Sequence, residues 1–179
     1  MFEGTCRYRS KGFSLLEVLV ALVVLSFGIL GAVAMQLAAK RGSFGALERT
    51  QAMSLANDYV ERARSNPLGV ALYAGDMGYQ QSVTSSSGCS TTTPCNSSAL
   101  AAWDKYQWHQ TLLGATTVEG TTNLPLLLHA VGCVTVAANL MTVTLSWDGT
   151  EATVDGAING NCGTASTRRR QVQVKSVVF

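Results

Sequence analysis

Histidine is scarce in this sequence. His109 and His129 stand far apart, and neither has a ligand-spaced companion. No Gly-rich phosphate cradle is present, and no Gly-x-Ser-x-Gly elbow places a nucleophile. Cys89 and Cys95 are separated by five residues, a spacing that zinc sites do not use. No catalytic constellation, metal site or cofactor motif emerges, so the sequence argues against an enzyme. Charge is scarce too, at 13% of residues, and the net charge of +2 is no nucleic-acid signature. Arg168-Arg169-Arg170 is the one basic run. Beside a terminal strand it reads as a solvated face or an edge guard, and DNA contact is the weaker reading.

The scarcity of charge is most pronounced from Phe13 to Ala39. Glu17 is the only charged residue there, and Ser14, Ser26 and Gln36 are the other polar interruptions. At about 1.5 Å per residue this run spans roughly 40 Å, enough to cross a hydrocarbon core of about 30 Å. A carboxylate inside such a segment costs on the order of 2.5–3.5 kcal/mol on insertion scales, so Glu17 calls for a partner. The basic excess lies upstream: Arg7, Arg9 and Lys11 against Glu3, with ten basic and ten acidic residues in the rest. The positive-inside rule keeps that short segment cytoplasmic and exports the C-terminal part.

Helical spacing continues beyond Ala39 as an amphipathic pattern. Leu47, Met53 or Thr50, Leu55, Tyr59 and Val60 recur on one face. Pro67 stops the helix, and Asn66 before it is biased away from helix. Gly42 to Gly45 is the expected place for a bend or local melting, because each glycine weakens a helix by up to about 1 kcal/mol. Residues 66–98 read as loop. A second helix is expected from Ser98 to Leu113, capped by Ser97 or Ser98, with Ala99, Ala102 or Trp103, Tyr106 and Leu113 buried. For Trp103 and Trp108, core packing is favoured over ligand stacking. Period-two patterns at Val131–Thr135, Met141–Trp147 and Gln171–Phe179 predict three or four antiparallel strands folding over the amphipathic half of the helix.

Four of the five cysteines lie in the exported part, which suggests two disulfides among three possible pairings. Proximity favours closing Cys89 with Cys95 around Ser-Thr-Thr-Thr-Pro, which leaves Cys133 with Cys162. Cys6 stays in the reducing cytoplasm. The expected organisation is a leader at 1–12, a transmembrane helix at 13–39, its amphipathic half at 40–66 and an exported α+β head at 67–179.

Lys11-Gly12-Phe13-Ser14-Leu15-Leu16-Glu17-Val18-Leu19-Val20-Ala21-Leu22 resembles the class III signal of type IV pilins. That signal is a basic leader ending in glycine, an apolar residue that becomes N-methylated, and glutamate at the fifth mature position. Residues 11–67 most resemble PilV-type minor pilins, through G-F-S-L-L-E-V-L-V-A-L-V-V-L-S-F-G-I-L-G and A-N-D-Y-V-E-R-A-R-S-N-P. The resemblance implies a pilin-like fold, cleavage between Gly12 and Phe13 by prepilin peptidase, and methylation of the Phe13 amine. It also implies an inner-membrane pool and assembly through the helix with other minor pilins and the major pilin. A place at the pilus tip, with a large adhesin as partner, belongs to the same set. Glu17 would neutralise the Phe13 ammonium of a neighbour and so set subunit register. Major pilins often carry a helix-breaking proline where this chain has Ala34. Two alternatives stand beside this reading. One is a GspI-like minor pseudopilin of type II secretion. The other is a conventionally secreted protein cut after Ala32-Val33-Ala34 and starting near Met35.

Overall fold

The computed structural model describes residues 12–84, 88–115, 117–120, 122–152, 155 and 160–178. The leader up to Lys11, including Cys6, lies outside them. The chain divides into two compact units, Met1–Gly42 and Ser43–Phe179.

Helix α1 covers Leu15–Ser65 and contributes to both units. Ser14 caps it: the Glu17 N–H donates to Ser14 Oγ at 3.1 Å, satisfying one of the orphan donors of the first turn. Between Gly12 and Gly42 every residue is exposed, and this helix holds a window of mean hydropathy 2.7, long and apolar enough to cross a membrane. The local melting expected as one possibility at Gly42–Gly45 is not there; these residues are helical. Glycine lowers helix propensity without forbidding helix, and neighbouring turns carry these two through. The helix also passes Ala32–Ala34 unbroken.

In the second unit α1 ends at Ser65, where Asn66 precedes Pro67 and leaves helical geometry (φ −129°, ψ 66°). A 3₁₀ helix, Pro67–Tyr73, follows at once, then strand β1, Gly75–Gly78. Helix α2 covers Ser97–Leu112; strands β2, Val118–Glu119, and β3, Thr122–Asn123, form a short pair. Strands β4, Val131–Ala137, β5, Leu140–Asp148, and β6, Arg169–Val177, complete a four-stranded sheet with β1 in the order β1-β4-β5-β6, antiparallel throughout. The architecture is α+β and pilin-like: a long helix against a small antiparallel sheet.

The core joins both layers. Ala52, Leu55, Ala56, Tyr59, Val60 and Ala63 of α1 meet Val134, Met141, Val143, Leu145 and Trp147 of the sheet, with Trp108 and Leu112 from α2. Leu55, Tyr59 and Val60 are buried as expected, but the rest of the buried stripe of α1 differs. Leu47 and Met53 are exposed, and alanines take the inner positions because small side chains let helix and sheet approach closely. On α2, Ala101, Asp104, Trp108, His109 and Leu112 are buried instead of Ala99, Ala102, Tyr106 and Leu113. The rotation follows from polar groups that find partners inside. The cap is Asn96, one residue earlier than expected; its side chain accepts from the Ala99 N–H at 2.8 Å. Residues 66–98 hold two elements, the 3₁₀ helix and β1, where loop was expected.

Candidate functional site

The exposed half of α1 is the candidate assembly surface. Phe13, Glu17, Val18, Ala21, Leu22 and Leu25 line a groove of about 430 Å³, and Leu16, Leu19, Val20, Val23 and Val24 line a second of about 200 Å³. Both are shaped almost wholly by aliphatic side chains. Glu17 has no cationic partner among the described residues. At about 100° per residue, Glu17, Ala21, Gly28, Gly31 and Gly42 fall within an arc of roughly 80°. A Cβ added at Gly28, Gly31 or Gly42 would touch nothing within 4 Å. Their small size therefore serves no packing inside the subunit; such a strip lets a second helix backbone approach closely in lipid.

In the head, a polar network ties α1, the 3₁₀ helix and α2 to one another. Tyr59 Oη donates to the Tyr73 carbonyl at 2.7 Å, and Tyr73 Oη donates to Asp104 Oδ2 at 2.5 Å. The Arg62 guanidinium stands 3.6 Å from Asp104 Oδ1. Burial, reinforced by the Asp104 carboxylate, raises both tyrosine hydroxyls well above their ordinary range, which keeps them neutral donors. Lys105 donates to the Leu72 and Ala74 carbonyls at 3.2 and 3.0 Å, and burial lowers its pKa. This network holds elements together and has no reactive geometry.

The histidines are structural as well. His109 is buried with Nε2 3.0 Å from the Gly78 carbonyl. His129, at a positive φ of 50°, pairs with Asp148 at 2.9 Å and lies against Tyr79. Among the described residues no group of three or more His, Cys, Asp and Glu could hold a metal. Two guanidiniums of the arginine run turn inward: Arg169 donates to the Gly160 carbonyl, and Arg170 pairs with Asp155. Asp155 also pairs with Arg49 and accepts from the Gln171 N–H on the outer edge of β6. Burial alone would raise its pKa; the Gln171 N–H and the two guanidiniums outweigh burial and hold the carboxyl below its ordinary range.

The structure brings Cys89 to Cys95 (S–S 2.02 Å) and Cys133 to Cys162 (S–S 2.14 Å). The second bond pins the loop around Cys162 onto the sheet face that α1 does not cover. Trp108 is core, whereas Trp103 is half-buried and stacks on Tyr106. The sequence reading missed Ser14 as the helix cap. The Ser-x-x-Glu spacing of Ser14 and Glu17 was its signal.

Two family profiles match consecutive stretches of the chain. The prokaryotic N-terminal methylation motif matches residues 7–33. The family described as type IV pilin Tt1218, Tt1218-like, matches residues 34–106, from the second half of α1 through most of α2. Both matches support a place in the type IV pilin superfamily. They support a pilin or pseudopilin subunit, a structural role that implies processing by prepilin peptidase and assembly with other pilins. The apolar helix and the prepilin motif fit membrane anchoring before assembly. Comparison with curated proteins and with solved structures yields no match.

Proposed function

We propose that this pilin is a minor subunit of a type IV pilus, of the PilV type, that helps prime assembly and sits at or near the tip. The observation that carries the reading is the exposed half of α1, with Glu17 unpaired in an aliphatic groove beside Phe13. Cleavage between Gly12 and Phe13 creates a new ammonium at Phe13, and methylation leaves it protonated. Glu17 of one subunit meets the Phe13 ammonium of the neighbour ahead of it, and in a low dielectric either charge alone is strongly unfavourable. The strip of Ala21, Gly28, Gly31 and Gly42 supports close helix packing around that pair.

The resemblance of residues 11–67 to PilV-type sequences supports the pilus assignment over a GspI-like pseudopilin. Other minor pilins, the major pilin and a tip adhesin are the partners on this reading. The head is periplasmic before assembly and at the cell surface afterwards. Mass spectrometry of the mature N-terminus tests the processing step: methylated Phe13 is expected, and Met35 would mean a conventional signal peptide. Deleting the gene tests the assignment. Loss of twitching with secretion intact is the expected outcome, and loss of secretion alone would make the protein a pseudopilin.

A further inference from the structure

Strand β6 is an edge of the four-stranded sheet, and its outer side is closed at both ends but open between them. At its start, the Asp155 N–H donates to the Arg169 carbonyl at 3.2 Å, and Asp155 Oδ2 accepts from the Gln171 N–H at 3.0 Å. At its far end, Arg64 Nη2 donates to the Val177 carbonyl at 3.2 Å. These bonds fix the phase of the strand: the odd-numbered residues turn their backbone groups outward. Gln173 and Lys175 share that phase. Among the described residues, their backbone N–H and C=O groups and the Val177 N–H meet no partner. The opposite edge differs. Strand β1 has only four residues, and His109 takes the Gly78 carbonyl.

The side chains bordering the open stretch define what fits it. On the side of α1, Val172 and Val174 are only partly buried against the core. From α1, Arg49 reaches Asp155 and Arg64 reaches Val177. At about 100° per residue, Met53 falls between those two arginines within an arc of roughly 60°. It is 43% exposed. A strand added beside β6 would cover Met53, Val172 and Val174. On the other face Lys175 is exposed, with no acidic partner among the described residues.

We propose that β6 receives a fifth strand from another subunit of the assembly. The segment is extended, with aliphatic residues toward Met53, Val172 and Val174 and a carboxylate beside Lys175. Main-chain bonds to Gln173, Lys175 and Val177 supply affinity, and the flanking side chains supply selectivity. Asp155 and Arg64 limit the pairing to the stretch between them. A second copy of β6 does not fit: two-fold pairing about this stretch sets Lys175 opposite or diagonal to its own copy, and like charges repel there. The lysine thus guards the edge against its own kind and admits an acidic strand. That an assembly partner brings the strand rests on the reading of this chain as a pilin-type subunit; the open edge does not.

The experiment is photocrosslinking of the full-length chain in its own cells, with benzoylphenylalanine in place of Val177, which is exposed beside the open stretch. The same probe in place of Val20, on an α1 groove, reports assembly itself. Mass spectrometry of the digested adducts locates the partner residues. An adduct from position 177 to an aliphatic segment with Asp or Glu, in a different pilin-type subunit, is expected. Lys175→Pro removes an outward N–H and no bond within the sheet, a change that edge strands tolerate. Lys175→Glu keeps the N–H and reverses the charge. Each should lower the adduct from 177 by about fivefold or more, the weight of one lost bond, and leave the adduct from 20 unchanged. An adduct from 20 with none from 177, an adduct from 177 to lipid or to a second copy, or a yield at 177 that either variant leaves unchanged overturns the added strand. No adduct at either position overturns the assembly reading, and this inference with it.

Discussion

Trp108 donates its indole N–H to the backbone carbonyl of Leu55 at 2.9 Å, binding α2 to the middle of the buried stretch of α1. The same ring lies on Gly132 of β4, where an added Cβ would collide with it. Gly132→Ala should therefore destabilise the head by about 1–3 kcal/mol, the usual cost of overpacking a filled core. Denaturant unfolding of the detergent-solubilised chain, followed by tryptophan emission, measures it. Gly160→Ala, with open space around the site, is the control and should move the midpoint far less.

The contact between Tyr73 and Asp104 gives a second test. Tyr73→Phe removes the donor and leaves Asp104 Oδ2, buried in a low-dielectric site, without that bond. The expected loss is about 1–3 kcal/mol. The double substitution Tyr73→Phe with Asp104→Leu should cost less than the sum of the two single ones, because the orphaned carboxylate disappears with its partner.

These contacts also explain what could be read from residue order and what could not. The helix and the long strands β5 and β6 announce themselves by period. The inner face of α1 does not. Ala52, Ala56 and Ala63 are buried while the larger Leu47 and Met53 face outward, and hydrophobicity alone ranks them the other way. Strand β1 reads Gly-Asp-Met-Gly, with no strand propensity; it is a strand because β4 offers it an edge. The buried face of α2 includes Asp104 and His109, whose burial depends on Tyr73 and the Gly78 carbonyl, partners distant in sequence. By contrast the Cys89–Cys95 bond was legible from its local spacing, and Cys133–Cys162 followed as the pair that remained.

Asp148 sets an acid limit on stability. Its carboxylate accepts from His129 and from Ser166 Oγ, at 2.9 and 2.7 Å, while its backbone N–H donates to the Leu128 carbonyl. The bond to His129 first, and then the Ser166 hydroxyl and the Arg168 charge, hold the carboxyl below its ordinary value against partial burial. A depressed folded pKa means that the unfolded chain takes up the proton first as pH falls. The stabilisation is complete above the unfolded value of about 3.9 and disappears as pH drops through the folded value. Asp148→Asn should flatten the acid limb of a melting-temperature-against-pH curve and leave its slope near neutrality unchanged.

The two disulfides should differ in weight. Cys133–Cys162 closes a separation of 29 residues and Cys89–Cys95 one of 6. The chain-entropy relation assigns roughly 3.5 kcal/mol to the longer loop and roughly 2 kcal/mol to the shorter. Paired serine substitutions should therefore lower the unfolding midpoint more at Cys133 and Cys162. An equal or reversed order would show that the loop around Cys162 holds its place through other contacts, such as the bond from Gln171 Nε2 to the Cys162 carbonyl at 3.1 Å.

Glu17 separates two roles that the sequence superimposes. Its N–H is held by the Ser14 cap, so the start of the helix uses its backbone and the assembly reading uses its charge. Glu17→Gln keeps the backbone bond and the length of the side chain but removes the charge. In the membrane the subunit loses nothing, since a neutral amide is less unfavourable there than a carboxylate. In the filament the neighbour's Phe13 ammonium is left unmatched in a low dielectric, at a cost of several kcal/mol, which corresponds to at least a tenfold drop in incorporation. Ser14→Ala does the reverse, removing a cap worth about 1 kcal/mol and leaving the charge in place. Immunoblots of sheared pili and of the membrane fraction should show Glu17→Gln abundant in membranes and depleted from pili, with Ser14→Ala close to the native ratio. If Ser14→Ala were depleted as strongly and Glu17→Gln were not, Glu17 would be a helix-capping residue and the register of the subunits would have to come from the aliphatic groove alone.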